Sequence, residues 1–261
     1  MTPENISSLS LSYLVGIMIL NAGISFALKF NLHQSILVAG FRAILQLILI
    51  GYCLRWIFDL KNSLAVFSLV LVMTLIASTT SLKKISYHYP GIRIFNFLAL
   101  CSSVWPMGLL ALWMVNAKPF FSPQYVIPFF GMILGNSLNG ISLSVDRFHG
   151  ELKNRYFYIL SQLALGSTPW EACQIPIRES LKAGMTSVLN TMSIVGVVSL
   201  PGMMTGQILA GSDPVISAKY QILILFLICT SVFWGCLFGI LFSFYKIFPK
   251  DNSFSLNWVT H

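Results

Sequence analysis

Two groups of residues in this 261-residue chain have types and spacings that can do work. The first is Leu165-Gly166-Ser167-Thr168-Pro169-Trp170-Glu171-Ala172. Thr168 can cap a helix with its hydroxyl, Pro169 suits the first helical position, and Glu171 at the third completes a capping box. The spacing predicts a short helix running to about Ile175 that presents Trp170 and Cys173 at i and i+3. The second group is polar or helix-bending and lies inside apolar sequence: Arg42 with Gln46, then Met132, Asn136 and Asn139, then Pro201, Gly202, Met203, Met204 and Gly206. An arginine at bilayer depth costs about 2.5–3.5 kcal/mol on insertion scales, so Arg42 either holds two helices together or faces an aqueous path or gate. Gln46, one turn on, shares its face. The two asparagines read as interhelical hydrogen-bond glue or as substrate-facing amides. Pro201 removes a backbone donor, and helices broken at membrane depth are tolerated chiefly where they line a cavity, which marks Pro201 to Gly206 as a pathway or hinge. The thioethers of Met203 and Met204 suit soft cations such as Cu(I) better than Fe(II), unless they are filler.

Other chemistry is missing. The chain has no GxxxxGK[ST] to cradle nucleotide phosphates, and no HExxH or GxSxG. It is therefore expected to bind no cofactor of its own and not to be an enzyme. His33, His88, His149 and His261 are read as loop or terminal residues, and the five cysteines show no CxxC or Cys/His spacing, so neither a disulfide nor a zinc site is expected. Asp59, Asp146 and Asp213 fall in a loop or at span ends, which leaves no convergent acids at depth for an intramembrane enzyme. No residue set meets a metal's ligand count, and the metal ligands, if any, stay unassigned.

The elements that must position these residues are transmembrane helices. The chain is 56% hydrophobic and 9% charged, against about 25% charged in soluble domains. Apolar runs at roughly 9–28, 36–58, 62–82, 92–115, 122–145, 186–211 and 219–247 each approach or exceed the ~20 residues that cross ~30 Å of hydrocarbon. The expected fold is all-α: a polytopic bundle of about seven spans, one permease-like domain over 1–261, with a docking segment at about 147–185 between spans five and six. Gly131/Gly135, Gly202/Gly206 and Gly235/Gly239 are candidate helix contacts. The first run lacks a basic residue before it and a cleavage pattern after it, and reads as a retained helix. With the amino terminus outside and the carboxyl terminus cytoplasmic, eleven of the sixteen Lys and Arg residues fall in cytoplasmic segments, as the positive-inside rule asks. The net charge of +8 then matches an anionic lipid leaflet and calls for no nucleic acid.

In order along the chain come FRAILQLILIGY, VIPFFGMILGN, LALGSTPWEA, IRESLKAG and VVSLPGMMTGQILAGSDPVISAKYQI. The LGSTPWEA stretch with Ile177 and Arg178 resembles the coupling segment by which ABC-transporter permeases grip separate ATPase subunits, and the whole set, from about residue 36 to 225, resembles the FetB-like permeases, the membrane half of bacterial iron-export ABC systems. Plant members of that family are linked to aluminium tolerance. The resemblance implies an inner-membrane subunit that pairs with a cytoplasmic ATPase, as two permeases with two ATPases, with ATP and Mg held by the partner, exporting a metal ion, iron foremost. On that reading Gly166, Ser167, Thr168, Pro169, Trp170, Glu171 and Cys173 couple to the ATPase, while Arg42, Gln46, Asn136 and Asn139 face the interior. An ATPase-independent ion channel or secondary carrier is the alternative, since a broken helix and a polar face would serve it equally, but it would not need a capped docking helix.

Overall fold

The computed structural model describes residues 7–248 apart from 61 and 88. The readings given for His88 and His261 fall outside these residues, as does the side chain of Asp59. Among the described residues ten helices follow one another: α1 (Ser8–Ala27), α2 (His33–Leu60), α3 (Ser63–Leu82), α4 (Ile92–Val115), α5 (Pro123–Asn154), α6 (Tyr156–Ala164), α7 (Pro169–Ala172), α8 (Gln174–Ile194), α9 (Gly202–Leu209) and α10 (Pro214–Ile247). By its internal contacts the chain divides into two compact units, Met1–Asn62 with Leu209–Gly211, and Ser63–Ile208 with Ser212–His261. The fold class is the all-α helical bundle expected.

In the first unit α1 and α2 form a helical hairpin. Its turn is tied by the buried Ser25, whose hydroxyl accepts the Leu32 N–H at 3.1 Å. Gly40 lets the Met18 methyl approach, since a Cβ there would sit 3.1 Å from it. The remaining surface of both helices is almost entirely exposed and apolar.

In the second unit α3, α4, α5, α8 and α10 enclose a shared core that includes Leu100, Phe129, Phe130, Ile141, Phe148 and Ile240. Cross-contacts fix the helix directions. Gly108 on α4 lies against the Phe130 ring of α5, Ser137 on α5 bonds Ser231 on α10 at 2.9 Å, and Gly140 on α5 meets both Gly184 on α8 and Cys236 on α10. At the far end of α5, Phe148 and Leu152 cluster with Cys173, Ile177, Ile240, Phe244 and Ile247. Helices α5 and α10 therefore run the same way and α8 runs against both. A chain that goes in the same direction twice must return between, and α8 is that return.

Here the boundaries differ from those read in the sequence. Among the described residues six helices are long and apolar enough to span a bilayer: α1, α2, α3, α4, α5 and α10. The run expected over 186–211 is not one helix. Its first third is the end of α8, which begins at Gln174 inside the stretch expected to be a docking segment. α8 buries Ile177, Ser180, Gly184 and Val188 along one stripe and exposes Lys182, Thr186, Asn190 and Ser193 on the other side. Half its surface is polar, so a hydropathy window misses it. The helix stops where Gly196 takes φ +84° and its N–H bonds the Ser199 carbonyl at 2.9 Å. Residues 195–201 are non-helical, and α9 resumes after Pro201. The break thus lies just before Pro201, and Gly202, Met203, Met204 and Gly206 are helical.

Candidate functional site

The connection from α5 to α8 is built by four local devices. Glu151, 5% exposed, closes α5 between two arginines one turn away on either side, Arg147 Nη2 at 2.8 Å and Arg155 Nε at 2.7 Å. Hydrogen bonding to Glu151 holds the Arg155 guanidinium pKa above its ordinary value. α6 then ends in a Schellman motif, in which the Gly166 N–H bonds Leu163 O at 3.1 Å and the Ser167 N–H bonds Gln162 O at 3.0 Å. Gly166 takes φ +94°, a left-handed conformation that glycine adopts freely. Two residues on, the capping box forms as expected: the Thr168 N–H and hydroxyl each donate to Glu171 Oε2 at 2.8 Å, and the Glu171 N–H donates to Thr168 Oγ1 at 3.3 Å. These bonds, first from the Thr168 backbone and then from its hydroxyl, hold the Glu171 carboxyl below the usual range.

The fourth device is the joint behind α7. Cys173 is fully buried with Phe148, Leu152, Ile159, Ile177 and Phe244, and burial pushes its thiol up to about 12. This corrects the expectation that Cys173 is presented outward for coupling. The helix ends at Ala172 and not near Ile175, and the new start of α8 turns Cys173 inward, where apolar contacts hold a small neutral thiol. Trp170 stays half-exposed, with its ring edge-on to Phe244 at 5.6 Å between centroids. Phe157 and Leu165 are each 81% exposed on the same short stretch. Neither stood out in the sequence, where the charged-apolar alternation hides the helix that carries them; their only signal is two large apolar residues in a segment too polar to span.

The remaining sequence-derived residues do not converge. Arg42 and Gln46 are exposed on α2, a helix of the first unit that buries little of its surface. Asn136 and Asn139 are also exposed in the single chain, not turned into its core, because α5 gives its inner face to large apolar side chains. Asn136 donates to Met132 O at 2.8 Å, and Asn139 Oδ1 accepts from Lys84 Nζ at 2.6 Å. Along the same face the Asp146 carboxylate accepts the Ser86 N–H at 2.7 Å. Because α8 is antiparallel to α5 and level with it at Gly184 and Gly140, its exposed Thr186 and Asn190 lie at about the depth of Asn136. Each of the two helices therefore exposes polar side chains at this depth, and α8's share was not foreseen. Met203, Met204 and Pro201 are partly exposed, with Gly202 and Gly206 open to space. No group of three His, Cys, Asp or Glu residues is placed to hold a metal among the described residues. His149, expected in a loop, is instead buried within α5, edge-on to Tyr87 and Tyr89.

The tight glycines are largely different ones from those expected. Gly235 and Gly239 do pack closely, with a Cβ at each falling 2.8 Å from Ile141 and 2.9 Å from Val145. A Cβ at Gly131 would meet only Met73, at 3.6 Å, and one at Gly135, Gly202 or Gly206 would meet nothing within 4 Å. Gly140 and Gly184 meet backbone to backbone, a Cβ on either falling 3.2 or 2.9 Å from the other's carbonyl oxygen, and neither was among the glycines expected.

Residues 8–248 match the family described as Uncharacterised protein family (UPF0014). The chain is 39% identical over 199 residues to the UPF0014 membrane protein slr1647 of Synechocystis, covering 76% of this chain and 77% of that one. It is 33% identical over 231 residues to the Probable iron export permease protein FetB of Escherichia coli, covering 88% of each, and 29% identical over 202 residues to Protein ALUMINUM SENSITIVE 3 of Arabidopsis thaliana, covering 77% of this chain and 73% of that one. No solved structure matches. With several long apolar helices and relatives named as membrane proteins, this is a multi-pass membrane protein, and the match over nearly the whole chain makes it a member of the UPF0014 family.

Proposed function

We propose that this chain is the permease subunit of an ABC transporter that exports a metal ion, iron being the favoured cargo, with ATP and Mg bound by a separate cytoplasmic ATPase. The observation that carries the reading is the α6–α7 tip. It is ordered by a Schellman turn and a capping box, exposes Phe157, Leu165 and Trp170, and is joined through Cys173 to the core. A short helix exposing aromatic and apolar anchors at the end of a bundle fits a groove on a partner protein. The name of the Escherichia coli relative supports metal export as the task.

On this reading the amino terminus is outside, the tip and the carboxyl terminus are in the cytoplasm, and two permeases pair with two ATPases in the inner membrane. Closure of the ATPases displaces α7. The close-packed joint of Cys173 with Phe148, Phe244 and Ile177 cannot absorb the displacement, so α8 moves, and the non-helical residues 195–201 at its other end take up the change in backbone angle. The polar surface of Asn136, Asn139, Thr186 and Asn190 lines the path between two copies, where amide and hydroxyl oxygens make weak, exchangeable contacts with a cation or its chelate. Hydrocarbon is a costly neighbour for this surface, and a second copy across a water-filled cleft is an acceptable one.

The test is co-purification of the tagged chain in mild detergent from its native membrane, with ATPase activity measured with and without Fe(II). An ATPase at near-equal stoichiometry, stimulated by Fe(II), is expected, and Trp170→Asp should remove the stimulation while the chain still inserts. A chain that elutes alone and conducts ions in liposomes overturns the reading in favour of the channel or carrier.

A further inference from the structure

A groove runs between α3 and α4 on the outside of the second unit. Its wide part, about 700 Å³, is lined by Phe67, Leu71, Phe97, Cys101, Trp105 and Leu109 among others. At Phe97 it continues into a second stretch of about 480 Å³ lined by Leu75, Ser78, Thr79, Leu82, Lys83 and Arg93. From Arg93 to Leu109 the groove follows sixteen residues of α4, about 24 Å at 1.5 Å per residue, which is more than the ~15 Å depth of one leaflet's hydrocarbon. Both basic residues stand at one end, and neither forms an ion pair with any carboxylate among the described residues. That end also holds the amino terminus of α4, whose N-cap Gly91 supplies no side-chain acceptor. The first turn of a long helix adds positive potential where Lys83 and Arg93 already place it.

We infer that the α3–α4 groove binds an anionic phospholipid, its headgroup phosphate held by Lys83 and Arg93 and one acyl chain laid along Phe97 and Trp105 toward Leu109. Charge complementarity selects the occupant: an uncharged apolar partner would leave two cations unmatched, and a soluble anion would leave the apolar length empty. Ser78 and Thr79 make no competing demand, since Thr79 donates to Ile76 O at 2.9 Å and the Ser78 oxygens face Asn96 at 3.0 and 3.4 Å. The site is independent of any cargo or ATPase.

The test reconstitutes the full chain in vesicles of phosphatidylcholine containing a rising fraction of phosphatidylglycerol brominated in its acyl chains, or of brominated phosphatidylcholine for comparison. Bromine quenches tryptophan at contact range, and the part of the quenching that disappears in Trp105→Phe reports the groove. Each basic residue near an anionic headgroup is worth about fivefold in association, so the preference for phosphatidylglycerol should be about 25-fold and should fall close to one in Lys83→Gln/Arg93→Gln. Lys182→Gln, a basic residue on α8, should keep it. A preference near one in the unaltered chain, an unchanged preference in the double variant, or an equal loss in Lys182→Gln overturns the inference.

Discussion

Replacing Gly184 by alanine tests the geometry on which everything else is hung. A Cβ at this position would lie 2.6 Å from Cys236 Sγ, 2.9 Å from the Gly140 carbonyl oxygen and 2.9 Å from Ser144 Cβ, where ordinary contact begins near 3.4 Å. The thiol can swing aside; the carbonyl belongs to the backbone of α5 and cannot. Helices α5 and α8 must therefore separate by several tenths of an ångström along their shared seam. Overpacking a close-packed core costs about 1–3 kcal/mol, and a backbone contact puts this case in the upper half, about 2–3 kcal/mol, or roughly 30- to 150-fold in the folding equilibrium. The assay is reversible unfolding in mixed micelles, with Gly135→Ala as reference. A Cβ at Gly135 meets nothing within 4 Å, and with the helix propensity of alanine its change should be neutral to stabilising by up to about 1 kcal/mol. Gly184→Ala/Cys236→Ala removes the sulfur contact but not the carbonyl one, so it should recover only part of the loss relative to Cys236→Ala alone. Equal stabilities for Gly184→Ala and Gly135→Ala would refute the α5–α8 seam and with it the antiparallel course of α8.

Glu151→Gln should cost about 1–3 kcal/mol by the same unfolding assay, below the 3–5 kcal/mol of a fully buried pair because Arg147 and Arg155 are about half-exposed and can reach water. Gly166→Ala should cost about 1–2 kcal/mol and Gly166→Asn clearly less, since asparagine tolerates the left-handed region; equal costs would contradict the φ of +94°. With its thiol pushed up to about 12, Cys173 should react with N-ethylmaleimide at pH 8 about a thousandfold more slowly than an ordinary thiol of pKa ~8.5, and normally once the chain is unfolded in SDS; fast labelling in the membrane would place it at the surface. The Glu171 carboxyl is held below its usual value, so its contribution to α7 is complete above the ordinary carboxylate pKa of ~4.3 and is lost as pH falls through the folded value. Amide-exchange protection at Thr168 and Glu171, corrected for intrinsic rates, should decline over that acid range, and Glu171→Gln, which keeps an acceptor at the same place, should abolish the decline.

The sequence made some of this legible for identifiable reasons. The first five expected spans correspond to α1 to α5 and the seventh to α10, each long and apolar enough to cross a bilayer, which a hydropathy window detects directly. The capping box was readable because every interaction in it lies within four residues, between Thr168 and Glu171. What stayed hidden depends on partners far apart in the chain. Gly140 and Gly184 are 44 residues apart, and nothing in either local pattern says they touch. Cys173 lies at a junction whose direction is set by α8, so helical spacing from Trp170 pointed it the wrong way. The polar residues on α5 were noticed for their type, yet that Asn136 and Asn139 stay exposed while Ile133, Ser137 and Ile141 are buried beside them depends on helices distant in the chain.

The placement of the helix break has a physical logic of its own. α8 needs one apolar stripe to pack on α5 and α10, and that stripe ends at Val188, with every residue from Leu189 to Leu200 at least partly exposed. Beyond Val188 no packing energy holds the helix, so only backbone hydrogen bonds oppose a turn, and the left-handed Gly196 supplies one at little cost. A hinge belongs where tertiary restraint runs out, because there the same backbone can change angle without opening a core. Pro201 then limits how far that freedom extends, since its fixed φ and missing donor favour the fresh helical start at Gly202. On the proposed function the seam from Cys173 to Val188 is the rigid arm and residues 195–201 are its pivot; a glycine-to-alanine change at 196, where a Cβ meets nothing but φ is +84°, should weaken the turn by about 1–2 kcal/mol in the unfolding assay and leave the arm's packing intact.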